Sequence, residues 1–153
     1  MASLSHSELC SIAVKWLRTH GCLVIFKERS SNCTSEIPDA IGFMNRGSIL
    51  IECKTSRSDF LADSKKIFRD PEHEERGMGK LRYYMSEPDI IKVCDIPTKW
   101  GLIHVKNGKA RVAKHCDEKG FKVNHQAEKS LLYAILRGLI PHEKDGIWEF
   151  IAK

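Results

Sequence analysis

Three residues of a predicted β-hairpin, Asp39, Glu52 and Lys54, would bring two carboxylates and an ammonium group to one place. The apolar segments 40–44 and 48–53 are predicted strands, and the Asn-Arg-Gly sequence between them is typical of a tight turn. Side chains alternate between the two faces of a strand, so Glu52 and Lys54 share a face. The hairpin therefore supplies a candidate reaction centre.

The length of the turn decides where Asp39 lies relative to that pair. If residues 45–47 form the turn, Asp39 lies opposite Cys53 or Lys54, and in either register it is beside Glu52. Two neighbouring carboxylates repel each other unless a cation neutralises them, and oxygen ligands suit Mg²⁺ or Mn²⁺. Such a metal would polarise a phosphodiester and lower the pKa of a bound water, while Lys54 would orient the water or stabilise charge on phosphorus. The residues thus predict hydrolysis of a phosphate ester.

The sequence Pro38-Asp39, followed by Glu52-Cys53-Lys54, resembles the signature of the PD-(D/E)xK nuclease superfamily. The segment TSRSDFLAD at 55–63 is similar to the one that follows the E-x-K motif in small bacterial and phage members. The resemblance covers about residues 5–105. It implies an α/β fold with a restriction-endonuclease-like αβββαβ core, in which a central mixed sheet is flanked by helices. It also implies metal-dependent hydrolysis of DNA.

The resemblance assigns a role to each matching position. Asp39 and Glu52 would be Mg²⁺ or Mn²⁺ ligands, the carbonyl group of Cys53 would add a backbone ligand, and Lys54 would be the catalytic lysine. Glu8 on the first helix matches an acidic residue that many members contribute to the metal site. Glu8 also fits a second role, because Ser5-x-x-Glu8 has the form of a helix capping box. Both interpretations of Glu8 stay open at this stage, and Glu36 is a less favoured substitute.

Contacts to the nucleic-acid backbone are predicted where the strand ends and a helix begins, since hydroxyl and backbone N–H groups there can meet phosphate. The candidate residues are Ser56, Arg57, Ser58, Lys65 and, on a later strand, Arg82 with Tyr84. Of the neighbouring acidic residues, Asp59 is expected to cap or orient the helix and Asp63 to be solvated.

The rest of the sequence predicts one mixed α/β domain over residues 1–153. Helical periodicity is found near the N-terminus, ending about Thr19 with Gly21 as the stop, and at 126–139. The segment 69–80 is rich in charge, glycine and proline and is expected to be an exposed, mobile loop. The other predicted elements are a buried strand at 22–26, a helix at 58–66 capped by Ser58, strands at 81–85 and 100–105, a short element at 90–93, and a hairpin turn at 106–109.

Charge and composition point to a polyanionic partner. The formal net charge is +5, and residues 99–125 carry seven basic and two acidic residues, which accounts for the whole excess. A basic segment of this kind can follow a phosphate backbone, so DNA is the expected partner. No apolar run approaches the ~18 residues of a membrane span. The six cysteines have no CxxC pair, which favours free thiols in a reducing, cytoplasmic setting.

Three functions are compatible with these features. The leading one is an endonuclease or DNA-processing enzyme, with a homodimer that cuts both strands as a further expectation. The alternative is a non-catalytic nucleic-acid-binding module that keeps the nuclease fold. A third is an unrelated small α/β enzyme acting on a phosphorylated metabolite, which would leave the basic segment without a role. The sequence does not distinguish DNA from RNA.

Overall fold

The computed structural model describes residues 3–29 and 35–138, together with the backbone of 141–144 and 147–150. Its main sheet has six strands that lie side by side in chain order. These are β1 (Val24–Lys27), β2 (Ala40–Met44), β3 (Gly47–Cys53), β4 (Leu81–Ser86), β5 (Gly101–Lys106) and β6 (Lys109–Lys114). Strands β3, β4 and β5 run parallel, and the other neighbours are antiparallel. The predicted mixed sheet is confirmed.

Helices cover both faces of this sheet. They are α1 (His6–Thr19), α2 (Arg57–Asp63) and α3 (His125–Gly138). On one face, Leu9 and Ala13 of α1 pack with Ile51 of β3 and Tyr83 of β4. On the other face, Leu131 of α3 and Phe60 of α2 belong to a second apolar cluster, whose further members include Leu50, Tyr84, Trp100 and Leu102. The alternation predicted for β3 is therefore confirmed.

The predicted turn of the first hairpin is one residue too long. Met44 pairs with Gly47, so the turn consists of Asn45 and Arg46 alone, and Gly47 begins β3 with a φ of 132°. Two-residue turns match the twist of the strands they join, and the glycine accepts the left-handed backbone without strain. Because Ala40 pairs with Ile51, the register brings Asp39 level with Glu52 rather than with Cys53 or Lys54.

Strand β1 lies at an edge of the sheet, which corrects the prediction of a buried strand at 22–26. The side chain of Leu23 is 90% exposed and Val24 is also exposed, while Cys22 is buried. The apolar run was correctly read as extended, but composition does not tell whether a strand is covered on both faces. Residues 30–34 of the polar loop that follows lie outside the described residues.

The chain between β3 and β4 differs most from expectation. Helix α2 is capped by Ser56, not Ser58, and it ends at Asp63. The charged segment 69–80 is exposed only in part: residues 69–76 and Lys80 are exposed or half-buried, whereas Gly77, Met78 and Gly79 are buried. Two short 3₁₀ turns, Ile67–Arg69 and Glu74–Arg76, shape it. The buried guanidinium of Arg82 holds it in place by donating to the carbonyl groups of Glu74, Gly77 and Gly79.

The outer elements agree more closely with the sequence. Helix α1 starts with the predicted capping box and ends before Gly21, whose φ is 91°. Asn107 and Gly108 form the predicted β5–β6 turn, and a 3₁₀ turn at Val93–Asp95 lies near the short element expected at 90–93. A second sheet of two strands, Pro141–Lys144 and Ile147–Phe150, was not predicted. In the part of the chain that the structure describes, no helix is long and apolar enough to cross a membrane.

Candidate active site

Asp39 lies immediately before β2 and is held from two sides. Its Oδ2 atom accepts a hydrogen bond of 2.7 Å from the backbone N–H of Cys53, which fixes it against the end of β3. Its Oδ1 atom lies 3.3 Å from Nε2 of His6 on α1. Burial raises the pKa of this carboxyl, although the Cys53 N–H and the nearby cations oppose the shift. One carboxylate oxygen is thus anchored and the other faces helix α1.

Glu52 is the more deeply buried of the two predicted carboxylate ligands, with its side chain 2% exposed. Its Oε2 atom lies 3.4 Å from Lys54 Nζ, and its Oε1 atom lies 2.8 Å from Arg69 Nη2. The second contact is an ion pair without the angles of a directed hydrogen bond. Burial raises the pKa of Glu52 to about 7, and the charges of Asp39 and Asp63 add to this effect while Arg69 opposes it. The Glu52 carboxylate therefore lacks a full set of directed partners.

Lys54 lies one residue beyond β3 with its ammonium group among carboxylates. Its Nζ atom is 3.4 Å from Glu52, 3.3 Å from Asp63 and 3.8 Å from Asp59. Burial lowers the pKa of this amine, but the surrounding carboxylates outweigh burial and the net shift is upward. Lys54 is therefore a fixed cation at neutral pH, suited to stabilising negative charge rather than to removing a proton.

Asp63 was expected to be solvated, and that prediction is wrong. Its side chain is fully buried, where it accepts hydrogen bonds from the Tyr84 hydroxyl at 2.8 Å and from Arg69 Nε at 2.9 Å. Burial alone would raise the pKa of Asp63, but Arg69 and Lys54 outweigh it and lower the pKa strongly. Its position three residues after the buried Phe60 places it on the inward face of α2, a signal that helical spacing contained.

Arg69 and Glu36 are two further members of the site that the sequence interpretation missed or set aside. Arg69 Nη1 lies 2.7 Å from Glu36 Oε1, and the other Glu36 oxygen accepts a 2.8 Å hydrogen bond from the backbone N–H of Met78. The Arg69 guanidinium lies over the rings of Phe68 and Trp100, at 4.8 and 5.0 Å from their centroids. Three carboxylates raise the pKa of Arg69 despite its burial, so it stays charged.

We call Glu36, Asp39, Glu52, Lys54, Asp63 and Arg69 the β3 cluster. Its four carboxylates face two cations, which leaves an excess of two negative charges when all are ionised. Lys66 and Asp59 at the exposed margin cancel each other and do not change this balance. An excess of two, together with the incompletely bonded Oε1 of Glu52, fits a hard divalent cation with oxygen ligands.

Glu8 takes the capping role and not a place in the β3 cluster. Its Oε2 atom accepts from the backbone N–H of Ser5 at 2.8 Å, and its own N–H donates to the Ser5 hydroxyl. Glu8 is exposed, and its pKa is lowered by the side-chain and backbone hydrogen bonds to Ser5. The α1 side chains that face Asp39 are instead His6 and Cys10.

The predicted nucleic-acid contacts divide into exposed and buried residues. Ser56 caps α2, Arg57 forms an ion pair with Asp95, and Ser58 and Lys65 are exposed. Arg82 is buried and bonded to backbone carbonyl groups. Tyr84 is also buried, with its ring stacked on Trp100 at 4.4 Å and its hydroxyl bonded to Asp63. The two residues on β4 thus support the fold around the β3 cluster.

A cleft of about 520 Å³ lies beside the β3 cluster. Arg69 and Tyr84 line it on the cluster side, while Lys99, Trp100 and Phe121 line it on the side of residues 99–125. Lys99 is paired with Glu74 at 2.6 Å. The exposed cations of this segment are Lys106, Lys109, Arg111, Lys119 and Lys122. Of the β3 cluster, Arg69 alone lines this cleft, and Lys99 is the one basic residue of 99–125 that lines it.

Comparison with known proteins shows the fold alone. No family model and no curated protein matches the chain. The chain is similar in structure to a protein of unknown function from Silicibacter pomeroyi, with a TM-score of 0.66 and 19% sequence identity over 90% of each chain. This likeness carries no statement about activity.

Proposed function

We propose that the chain is a metal-dependent nuclease that hydrolyses DNA phosphodiester bonds at the β3 cluster. The observation that carries this proposal is the meeting of Asp39, Glu52 and Lys54 at one end of the β2–β3 hairpin, within a cluster that has more carboxylates than cations. The order α1–β1–β2–β3–α2–β4 also agrees with an αβββαβ core. On this proposal the fold is restriction-endonuclease-like and the chain is a member of the PD-(D/E)xK superfamily.

A Mg²⁺ or Mn²⁺ ion would be held by the carboxylates of Asp39 and Glu52 and by the carbonyl group of Cys53. When bound, it would polarise the phosphodiester and supply an activated water. The orientation of the Asp39 carboxylate is already fixed, because its Oδ2 atom accepts a hydrogen bond from the Cys53 N–H. Burial disfavours the ionised form of Glu52, so a bound cation that compensates its negative charge would be stabilised there.

Lys54 would stabilise the charge that develops on the phosphate and orient the attacking water. Its ammonium group is held between Glu52 and Asp63, so its position does not depend on a mobile side chain. Asp63, Tyr84 and Arg69 act as positioning residues, because they hold Lys54 and Glu52 without a predicted contact to substrate. The exposed cations of residues 99–125 would attract the DNA backbone to this side of the protein.

One observation favours the non-catalytic alternative. Arg69 already forms ion pairs with Glu52, Asp63 and Glu36, so an internal cation offsets part of the charge that a metal would neutralise. A protein that binds DNA without cutting it would have the same basic surface. Metal-dependent cleavage separates the two functions.

The test is cleavage of supercoiled plasmid, single-stranded DNA and a branched duplex in Mg²⁺ or Mn²⁺. We expect cutting that EDTA abolishes and that Lys54→Met or Asp39→Asn reduces by at least about 100-fold. Lys15→Ala, which removes an exposed lysine of α1, serves as the matched control and should leave the rate unchanged. Salt-sensitive DNA binding without cutting of any substrate would overturn the nuclease in favour of the binding module. Cleavage that survives both EDTA and Lys54→Met would contradict metal-dependent hydrolysis at the β3 cluster.

A further inference from the structure

A second group of potential ligands lies on the α1 side of Asp39. The Nε2 atom of His6 is 3.3 Å from Asp39 Oδ1, 3.4 Å from Cys10 Sγ and 3.5 Å from Glu28 Oε1. The ligand atoms of His6, Cys10 and Asp39 all lie within 4.8 Å of one another. Cys10 is buried, whereas the His6 side chain is 41% exposed, so the group has a protected side and an open side.

The spacing of the chain builds this group. His6 and Cys10 are four residues apart in the first turns of α1 and therefore lie on one face of the helix. Asp39 is fixed by the Cys53 N–H, and Glu28 follows β1 with its backbone N–H bonded to the carbonyl group of Asp39 at 3.1 Å. Glu28 has a φ of 50°, which is uncommon for a residue other than glycine. Three separate elements thus converge on the imidazole.

One hydrogen bond from Nε2 cannot serve all of its neighbours. This nitrogen carries at most one proton, yet two carboxylate oxygens and a thiol sulfur surround it at nearly equal distances. Such a donor satisfies one of them well. If Nε2 carries no proton, its lone pair instead points into a group that contains a thiol and a carboxylate. Imidazole, thiolate and carboxylate are the ligands of Zn²⁺ and similar ions.

The two distances from His6 agree with a tetrahedral coordination sphere. Ligands placed about 2.0–2.3 Å from a tetrahedral Zn²⁺ are separated from one another by about 3.3–3.6 Å. The separations from His6 Nε2, 3.3 Å to oxygen and 3.4 Å to sulfur, fall in this range. The third pair, Cys10 and Asp39, lies within 4.8 Å, so binding an ion would set this separation.

We propose that His6, Cys10 and Asp39 form a site for a thiophilic divalent cation such as Zn²⁺. The fourth position is open on the exposed side, where Glu28 or a water completes the tetrahedron. This site differs from the proposed Mg²⁺ or Mn²⁺ site in its soft ligands, and it uses neither Glu52 nor Lys54. The two sites share Asp39, but binding of the soft ion does not depend on nuclease activity.

The test is titration of the full, reduced chain with Co²⁺, a spectroscopic substitute for Zn²⁺. We expect saturable binding of one ion, with a near-ultraviolet thiolate-to-cobalt charge-transfer band and the visible bands of tetrahedral Co²⁺, all removed by added Zn²⁺. Cys10→Ser should abolish the charge-transfer band. His6→Ala should weaken Co²⁺ binding by more than the roughly 10–100-fold that the loss of an outer-shell partner costs.

Two matched variants keep the result specific. Cys94→Ser removes an exposed cysteine and should leave the spectrum unchanged, and Glu52→Gln should also retain the band while it abolishes DNA cleavage. The proposal of a soft-metal site and the proposal of a nuclease can therefore be refuted independently of each other. Absence of the band in the unmodified chain, or its persistence in Cys10→Ser, would overturn the proposal. Because Cys10 is buried, circular dichroism should verify that Cys10→Ser folds, and His6→Ala gives a second test at a more exposed position.

Discussion

Asp39 stands between two groups of charged side chains that are organised in opposite ways. On the β3 side, Glu52, Asp63 and Glu36 are buried and each forms an ion pair with Arg69. On the α1 side, one imidazole nitrogen of His6 faces several acceptor atoms across a partly exposed opening. The β3 side contains two permanent cations, Lys54 and Arg69, whereas on the α1 side one imidazole nitrogen faces two carboxylates.

This difference separates two ways of stabilising carboxylates. Buried charges are tolerated when fixed partners compensate them, and the loss of one partner is then costly because the others cannot regain water. Partly exposed charges can exchange protein partners for water or for an ion from solution, so the loss of one partner costs little. The β3 side should therefore respond to mutation mainly through stability, and the α1 side mainly through metal binding.

The largest expected effect follows from removing the buried guanidinium. Arg69→Met should lower the free energy of unfolding by about 3–5 kcal/mol, because Glu36, Glu52 and Asp63 lose their shared cation inside the protein. Urea unfolding at neutral pH measures this change. If a divalent ion binds the same cluster, added Mn²⁺ should recover part of the loss.

The matched control for Arg69→Met is Arg57→Met. Arg57 also pairs with an aspartate, Asp95, but its side chain is 49% exposed. We expect a much smaller change, because water replaces the lost partner. If Arg69→Met and Arg57→Met lower the free energy of unfolding equally, burial does not decide the cost of losing an ion-pair partner in this protein.

The raised pKa of Glu52 predicts a pH dependence of metal binding. With its pKa raised to about 7 by burial, Glu52 is protonated below neutral pH, and the proton competes with the cation. Affinity for Mn²⁺, and the rate of cleavage, should rise by up to about tenfold per pH unit up to about pH 7 and then level off. Calorimetric Mn²⁺ titrations from mildly acidic to mildly alkaline pH measure this profile.

The raised pKa of Glu52 also predicts how the stability of the protein changes with pH. The pKa of Glu52 is higher in the folded protein than its ordinary value, so folding favours the protonated form. Its stabilising contribution is present below the ordinary pKa near 4.5 and is lost as the pH rises through about 7. Glu74→Gln, at a carboxylate whose pKa is instead lowered by its bond to Lys99, is the control and should leave the Mn²⁺ profile unchanged. A flat profile in the unmodified chain would contradict the role assigned to Glu52.

Local patterns were sufficient to predict the elements that carry Asp39, Glu52 and Lys54. Alternation assigned Glu52 and Lys54 to one face of β3, and the capping box placed the start of α1. The exact register depended on a turn one residue shorter than predicted. Sequence spacing therefore brought Asp39, Glu52 and Lys54 together, while the two-residue turn before Gly47 set their register.

Arg69 and Glu36 could not be found in this way, because they meet through long-range contacts. Glu36 precedes β2 and Arg69 lies in a 3₁₀ turn after α2, and neither position belongs to a periodic pattern. The buried segment 77–79 was misread for the same reason. Its glycines and flanking charges resemble those of a loop, but the Arg82 guanidinium and the Glu36 carboxylate bond to its backbone. Only Asp63 carried a usable signal, its spacing from Phe60.

A smaller effect is expected at Tyr84, which supports the β3 cluster from β4. Tyr84→Phe removes the 2.8 Å hydrogen bond to Asp63 and should lower the free energy of unfolding by about 2 kcal/mol, since the acceptor is charged and buried. DNA affinity should not change. Tyr83→Phe, on the opposite face of the same strand, is the control and should cost less, because its hydroxyl contacts the thiol of Cys116. If Tyr84→Phe lowers DNA affinity without lowering stability, the prediction that Tyr84 contacts nucleic acid would be supported.

The smallest effect is expected at the helix cap beside the α1 group. Ser5→Ala removes the side chain that accepts the Glu8 N–H and should lower the free energy of unfolding by about 1 kcal/mol. Glu8→Gln keeps a side chain able to accept from the Ser5 N–H, so it should change thermal stability less and leave both DNA cleavage and Co²⁺ binding unaltered. If Glu8→Gln abolishes both cleavage and Mn²⁺ binding while the chain stays folded, Glu8 belongs to the metal site. Helix α1 would then contribute to the β3 side of Asp39 as well as to the α1 side.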